Sequence, residues 1–287
     1  MANEAYILGT TATAAWLNTA FAPAVEGYFM EYSSIANAAT DYSSMAAPGS
    51  KAISVPLVSL DGAVAKTSET TLAYEAGTVQ TAPTITMSSQ YALAYLIEEI
   101  SQLQTNVDIF ASFSQMAGES LARSLDSLLA TTVKGETTNT PITTDTDNTV
   151  TWANLLTAQS TFNAQRIAIR NCAMGIAPGA FELSVADWGD KFLSAAYRDP
   201  NAPQFAATGV EGTILGMRVY VTPDWTSGTT DECATIWHPK ALGFAHSGIR
   251  VVGPTPEPLH VGDGFAVHDV MGAAVLNAYG VLKIVND

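Results

Sequence analysis

The stretch from Pro48 to Glu75, PGSKAISVPLVSLDGAVAKTSETTLAYE, reads as a hairpin built to reach outward. Ile53, Val55 and Leu57 alternate with small or polar neighbours, the period of a strand with one covered face. Asp61-Gly62 then supplies a turn dipeptide, and a Thr/Ser/Lys stretch around Lys66 leads into a second extended run. A two-stranded ribbon is marginal on its own in water. Its covered face therefore needs a support, and the identity of that support decides the architecture.

On the N-terminal side, residues 1–47 read as an arm with short helical pieces near Ala12–Phe21 and Tyr28–Ala39. After the hairpin comes TITMSSQYALAYLIEEI, in which Tyr91, Leu93, Tyr95 and Ile97 alternate as a strand that ends in an acidic pair. The best helical signal in the chain follows. Thr105 can cap it, with Asp108 three residues on. Val107, Phe110, Ala117, Leu121, Leu125 and Leu128 recur near one stripe, and Glu119 precedes Arg123 in the favourable order. The spacing predicts a helix from Val107 to Leu129, about 34 Å long at 1.5 Å per residue, stopped by Lys134-Gly135.

GETTNTPITTDTDNT is a polar boundary. Beyond it Thr151 opens a helix carrying Trp152, Leu155, Leu156 and Phe162. CAMGIAP reads as a buried strand broken at Pro178-Gly179, followed by a helix near Val185–Tyr197 in which Trp188, Phe192 and Ala196 fall four apart. GTILGMRVYVTPDW reads as a strand pair, ATIWHP as a strand and PKALGFAH as a short helix. The end, GFAVHDVMGAAVLNAYGVLKIVND, reads as two strands hinged near Gly272. Strands and helices fall in separate groups, so the class is α+β.

Composition narrows the function. Hydrophobic residues make up 47% of the chain and charged ones only 14%, a lean surface that suggests cover by other chains. Twelve basic against 27 acidic residues give a net charge of −15, with the basic residues scattered singly. That disfavours a protein that grips phosphates, which needs clustered Lys and Arg, but it does not exclude a container for nucleic acid. Cys172 and Cys233 stand far apart without a CxxC spacing, as suits a reducing cytosol. The uncharged stretch Ala5–Val25 carries Thr, Asn and Pro and follows Glu4, so it reads as neither a signal peptide nor a membrane span.

Chemistry is sparse. There is no phosphate-binding glycine loop, nucleophile elbow or HExxH motif. Asp145, Asp147 and Asn148 suggest a calcium loop, but Val150 and Leu156 occupy the positions that need Gly and Glu. His260, Asp263, His268 and Asp269 form the strongest cluster for a metal or for acid–base work. Against it, the stretch alternates like a strand, which sends His268 and Asp269 to opposite faces. His238, His246 and Cys233 lack the order of a zinc site. The reading is therefore no enzyme, no catalytic or metal residues and no cofactor.

The order of elements carries a resemblance. TDYSSMAAPGSKAISVPL (40–57) looks like the approach to an extended loop, and ITMSSQYALAYLIEEISQLQTNVDI (85–109) like the return strand and start of a spine helix. GESLARSLDSLLATT (118–132), with Ala122 and Asp126, is similar to the later spine helix. EGTILGMRVYVTPDW and IWHPKALGFAHSGIRVVGP resemble axial-domain segments, and GAAVLNAYGVLKI resembles closing strands. Together they resemble the major capsid proteins of tailed bacteriophages, with the Hong Kong 97-type fold. The resemblance implies an N-terminal arm (1–47), an extended hairpin loop (48–88) and a peripheral domain with the spine helix (89–150). An axial domain (151–257) and C-terminal strands returning to the peripheral domain (258–287) complete it.

It also implies a virion subunit, made and assembled in the bacterial host cytoplasm, that forms hexamers and pentamers of an icosahedral shell. The shell would enclose double-stranded DNA without sequence-specific binding, and no membrane would be involved. A scaffolding protein, a portal and a decoration protein are the further partners implied. Lys51, Val55, Leu57, Asp61, Gly62 and Lys66 would lie in the inter-subunit hairpin, Lys66 as a charge that keeps an exposed ribbon soluble. An encapsulin-like cage around a cargo enzyme shares this fold and is the alternative. A hydrolase using the His260–Asp269 region is a rival of another class. A tail-tube or decoration subunit is a third, which the long helix after the ribbon disfavours.

Overall fold

A 26-residue helix, Ile109–Lys134, forms the spine of the subunit. In the computed structural model the described residues are 22–46, 51–55, 82–98, 109–144, 149–194, 210–225, 232–257 and 262–286. Of the stripe read from the sequence, Ala117, Leu121 and Leu125 are inaccessible to solvent and Leu128 is half-buried, while Leu129, Ala130 and Val133 carry the buried side a further turn. The helix stops where Gly135 donates its N–H to the Thr131 carbonyl. Two lysines answer its C-terminal end, Lys283 by donating Nζ to the Lys134 carbonyl at 2.7 Å and Lys134 by donating to the Asp224 carbonyl at 2.6 Å. Glu119 and Arg123 pair on the exposed side as expected. The expected cap at Thr105 lies outside the described residues.

The helices are α1 (Ala22–Tyr32), the spine α2, α3 (Trp152–Ala164) and α4 (Pro178–Trp188). The strands are β1 (Thr40–Asp41), β2 (Ala52–Ser54), β3 (Thr84–Thr86), β4 (Ser89–Glu98), β5 (Ile142–Thr144), β6 (Ala173–Ile176) and β7 (Leu193–Ser194). They continue with β8 (Val210–Ile214), β9 (Met217–Val221), β10 (Glu232–Trp237), β11 (Leu242–His246), β12 (Arg250–Glu257), β13 (Gly262–Val275) and β14 (Val281–Asn286). A seven-stranded sheet has the order β5-β14-β10-β6-β9-β8-β7. A five-stranded sheet is built around β13, which pairs with β4 along one edge and with β12 and then β11 along the other; β1 adds to β11 in parallel. The class is mixed α+β, as read from the sequence.

Within the expected arm, residues 22–46 pack against the rest of the subunit. α1 crosses the spine at Gly118, where an added Cβ would stand 2.5 Å from Tyr28 Cβ and 2.8 Å from the Val25 carbonyl oxygen. The 3-10 turn Ile35–Ala38 is then gripped by a single carboxylate from mid-spine. Asp126, buried, accepts from Ser34 N at 2.8 Å, Ser34 Oγ at 2.9 Å, Ile35 N at 3.0 Å and Ala36 N at 3.3 Å. Burial pushes its carboxyl up, outweighing the bonds that pull it down. Trp237 Nε1 donates to the Ala38 carbonyl at 2.8 Å and carries the attachment into the seven-stranded sheet.

Other departures have local causes. The helix expected over Val185–Tyr197 runs instead over Pro178–Trp188, because Pro178 occupies its first turn, where a missing N–H costs nothing. Gly189, at φ 50°, ends it. Trp188 and Phe192 of the expected stripe still meet, at 5.6 Å between ring centroids. PKALGFAH is one 3-10 turn followed by β11. Leu215-Gly216, both at positive φ, make the two-residue turn that joins β8 to β9. Thr151 caps α3 as expected, accepting from Asn154 N at 3.3 Å.

The two large sheets draw strands from more than one of the expected units. β5 leaves the 89–150 unit for the seven-stranded sheet, while β11 and β12 leave the 151–257 unit for the five-stranded one. Within 258–287, β13 joins the five-stranded sheet and β14 the seven-stranded sheet.

Replacing Asp126 with Ala strands three backbone donors and one hydroxyl, and is expected to cost about 3 kcal/mol or more of stability. Removing the exposed pair through Arg123→Ala should cost under about 1 kcal/mol. Denaturant melts of the two variants beside the parent check the contrast.

Candidate assembly site

The root of the hairpin read from the sequence is described at both its strands, β2 and β3. β2 and β3 pair antiparallel, Ala52 opposite Thr86, Ile53 opposite Ile85 and Ser54 opposite Thr84. Val55 N donates to the Pro83 carbonyl and Met87 N to the Lys51 carbonyl, each at 2.9 Å, so the ladder extends beyond the strands at both ends. The alternation read at Ile53 and Val55 is real. Both are buried, and with Ile85, Met87, Ala245 and Leu276 they form a separate small core.

That core seats the root on the five-stranded sheet. The sheet residues beneath it are Val270 and Ala274 of β13, with Tyr42 and Ala46 at the side. Between them lies Gly272, where an added Cβ would stand 2.3 Å from the Thr86 carbonyl oxygen. β13 runs through Gly272 without a break, so the expected hinge is instead a point of close backbone approach. The glycine is required because another strand crosses it.

Of the residues expected in the inter-subunit hairpin, Lys51 is exposed and Val55 is buried against its own subunit. Leu57, Asp61, Gly62 and Lys66 lie outside the described residues. Beyond the root, no described residue covers the same face of β4, β13 and β12 around Ala94 and Val252. Ala94, Ala266 and Val252 stand side by side on it, with Leu96 opposite Gly264 in the next row. Leu96 is 40% and Val252 56% exposed, and Ala92 and Ala94 are exposed too. The opposite face buries Val267 and Val251, with Tyr95 ring-packed on Phe113 of the spine at 4.8 Å. Exposed rows of Ala, Leu and Val of this kind are common where one chain contacts another.

Among the described residues the histidines do not assemble as a site. Asp269 is fully buried and meets His246, Nδ1 to Oδ2 at 3.0 Å, while its neighbour His268 stands on the other face of β13. His260 lies outside the described residues, as do Asp145, Asp147 and Asn148. Asp263 sits in β13 opposite Ile97. His238 accepts from Lys240 N at 3.2 Å, and burial and the Lys240 charge hold its imidazole below the ordinary value. Burial pushes the thiols of Cys172 and Cys233 up to about 12 and about 11, which leaves no thiolate near neutral pH. Among the described residues no three His, Cys, Asp or Glu side chains converge on one point that would hold a metal. Among the same residues no helix is long and apolar enough to cross a membrane.

Sequence reading missed the Asp126 grip, whose partners lie about 90 positions away, and the His246–Asp269 pair, whose members come from different strands. Only the alternation that separates His268 from Asp269 pointed toward the second.

Comparison with known proteins places this geometry. The family model described as phage capsid protein matches residues 81–286, beginning at the return strand of the hairpin. No curated protein matches the chain. A structure from Mycobacterium phage Che8 is similar with a TM-score of 0.61 and 18% identity, over 87% of this chain and 90% of that one. The capsid of the cyanophage P-SCSP1u gives 0.60 and 13%, over 87% and 86%. A virus-like particle from Pyrococcus furiosus gives 0.55 and 11%, over 93% and 97%. At these identities the likeness is one of fold, and the fold is the Hong Kong 97 type. The chain belongs to the phage capsid protein family and is a structural, major capsid protein.

Proposed function

We propose that the hairpin 48–88 is the assembly device of this capsid subunit, rooted on its own five-stranded sheet and reaching across the adjacent copy in the same capsomer. The observation that supports this reading is the seat at Gly272, where the root of the hairpin crosses its own sheet. The uncovered Ala/Leu/Val face of β4, β13 and β12 is the matching surface for a neighbour. Lys51 is the exposed cation at the foot of the ribbon, and Lys66 is the solubilising charge further out. Residues 89–150 with the spine, and 151–257, serve as the peripheral and axial units of the shell, with the strand exchanges described above.

Hexamers and pentamers built in this way close an icosahedral head around double-stranded DNA. With a net charge of −15, the wall confines the duplex without gripping it, and a contact between copies of this kind buries more than about 2,000 Å² per pair. Assembly takes place in the host cytoplasm. A scaffolding protein and portal guide closure, and a decoration protein has the outer surface available. The subunit performs no catalysis and takes no cofactor or membrane. The particle-forming Pyrococcus furiosus neighbour keeps a second reading open, an encapsulin-like cage around a cargo enzyme, and the family match favours the genome container.

Deleting Asp61–Ser68 should leave a folded, soluble subunit that forms no closed shells by negative-stain electron microscopy; normal shells would defeat the proposal. Gly272→Val should have the same consequence from the other end, by lifting the root off the sheet. Its circular dichroism spectrum should match that of the parent, with light scattering that stays at the size of small oligomers.

A further inference from the structure

We propose that His246 and Asp269 form a pH-sensitive clasp that fastens the N-terminal segment, Phe29 to Met45, to the break between β11 and β12, gripping harder at acidic than at alkaline pH. The break is built into the sheet. β11 and β12 run head to tail along one edge of β13, with His246 opposite Met271 and Arg250 opposite His268. Three residues, 247–249, therefore face only two, 269 and 270. Gly248, at φ 88°, takes up the excess, and Ser247 N closes the gap by donating to the Val270 carbonyl at 2.9 Å.

Inside this gap lies the carboxylate of Asp269, which has no solvent exposure. Its partners are His246 Nδ1 at 3.0 Å and Ser247 Oγ, which donates at 3.2 Å. A neutral imidazole leaves a buried anion held by uncharged donors alone, whereas an imidazolium balances it. The N-terminal segment covers the pair. The Phe29 ring stands 5.4 Å from the imidazole, centroid to centroid. His246 N donates to Ser43 Oγ at 3.0 Å, and that hydroxyl in turn donates to the Asp41 carboxylate. Tyr42 N donates to the Phe244 carbonyl at 2.8 Å, two residues before His246 on the same strand.

The charges acting on the imidazole from the packed elements are all carboxylates: Asp269 from β13, Asp41 from β1 and Glu26 from α1. Burial pulls the imidazole down, but the bond to Asp269 and these three charges outweigh it and hold it above the ordinary value. A basic group raised by folding adds stability that is complete below its unfolded value, near 6.5, and is lost as pH climbs through the folded one. The clasp thus tightens toward acid. This follows from contacts within one subunit and holds whether or not the chain assembles.

Hydrogen–deuterium exchange on the full chain from pH 6 to pH 9, corrected for the intrinsic pH dependence of exchange, tests it. Protection of residues 33–46 should fall with rising pH, by up to about tenfold for each unit by which folding raises the imidazole. His246→Gln keeps an amide donor toward Asp269 and cannot titrate, so its profile should be flat. A flat parent profile, or the same fall in His246→Gln, overturns the clasp. Should the variant fail to fold, an NMR titration of the imidazole decides. A midpoint above about 6.5 that drops in the exposed-site variant Asp41→Asn supports the proposal, and one at or below that value, or unmoved by Asp41→Asn, overturns it.

Discussion

At Gly272 the backbone of β13 and the carbonyl of Thr86 approach so closely that no side chain fits between them. This close approach places the hairpin root flat on the five-stranded sheet and lets Ile53, Val55, Ile85 and Met87 reach the sheet surface. The same contact divides one sheet face in two. The half around Val270 and Ala274 is covered by the chain's own root, and the half around Ala94, Ala266 and Val252 is left to solvent. On the assembly reading proposed above, this division supplies the asymmetry that a repeating contact between copies needs.

The spine helix ties this sheet to the rest of the subunit. Its buried stripe carries Tyr95 and the inner side of the five-stranded sheet. Its Asp126 holds the turn after α1, and Lys283 and Lys134 tie its far end to the seven-stranded sheet and the turn after β9. Buried ionic groups of this sort add little net stability, but they are costly to break and so fix which segments meet. The N-terminal segment illustrates the point: Asp126, Trp237 and the strand pair Thr40–Asp41 with Gly243–Phe244 each hold it at a different place.

Much of this architecture was legible because it is periodic. The hairpin, the return strand and the spine announce themselves by spacings of two or of three and four, and their order pointed to the fold. Long-range pairings left no such trace. Nothing local in Ser34 or Asp126 says that they meet across 92 positions. The sharing of strands between sheets was hidden for the same reason, since β13 and β14 read alike as the two closing strands yet pair in different sheets. Gly272 was marked correctly as special but for the wrong cause, because a glycine demanded by a neighbouring backbone looks identical in sequence to one that permits a bend. Pro178 was read as a break when it opens a helix, as proline does in a first turn.

The most direct test of the assembly account is a cryo-electron microscopy map of shells formed by the full chain, at a resolution that traces the backbone. The account predicts continuous density from Val55 to Ala82 that leaves its own sheet at Gly272 and comes to rest on the Ala94–Ala266–Val252 face of the adjacent subunit. A ribbon folded back over its own β4–β13–β12 face, with no neighbour against that surface, would contradict it.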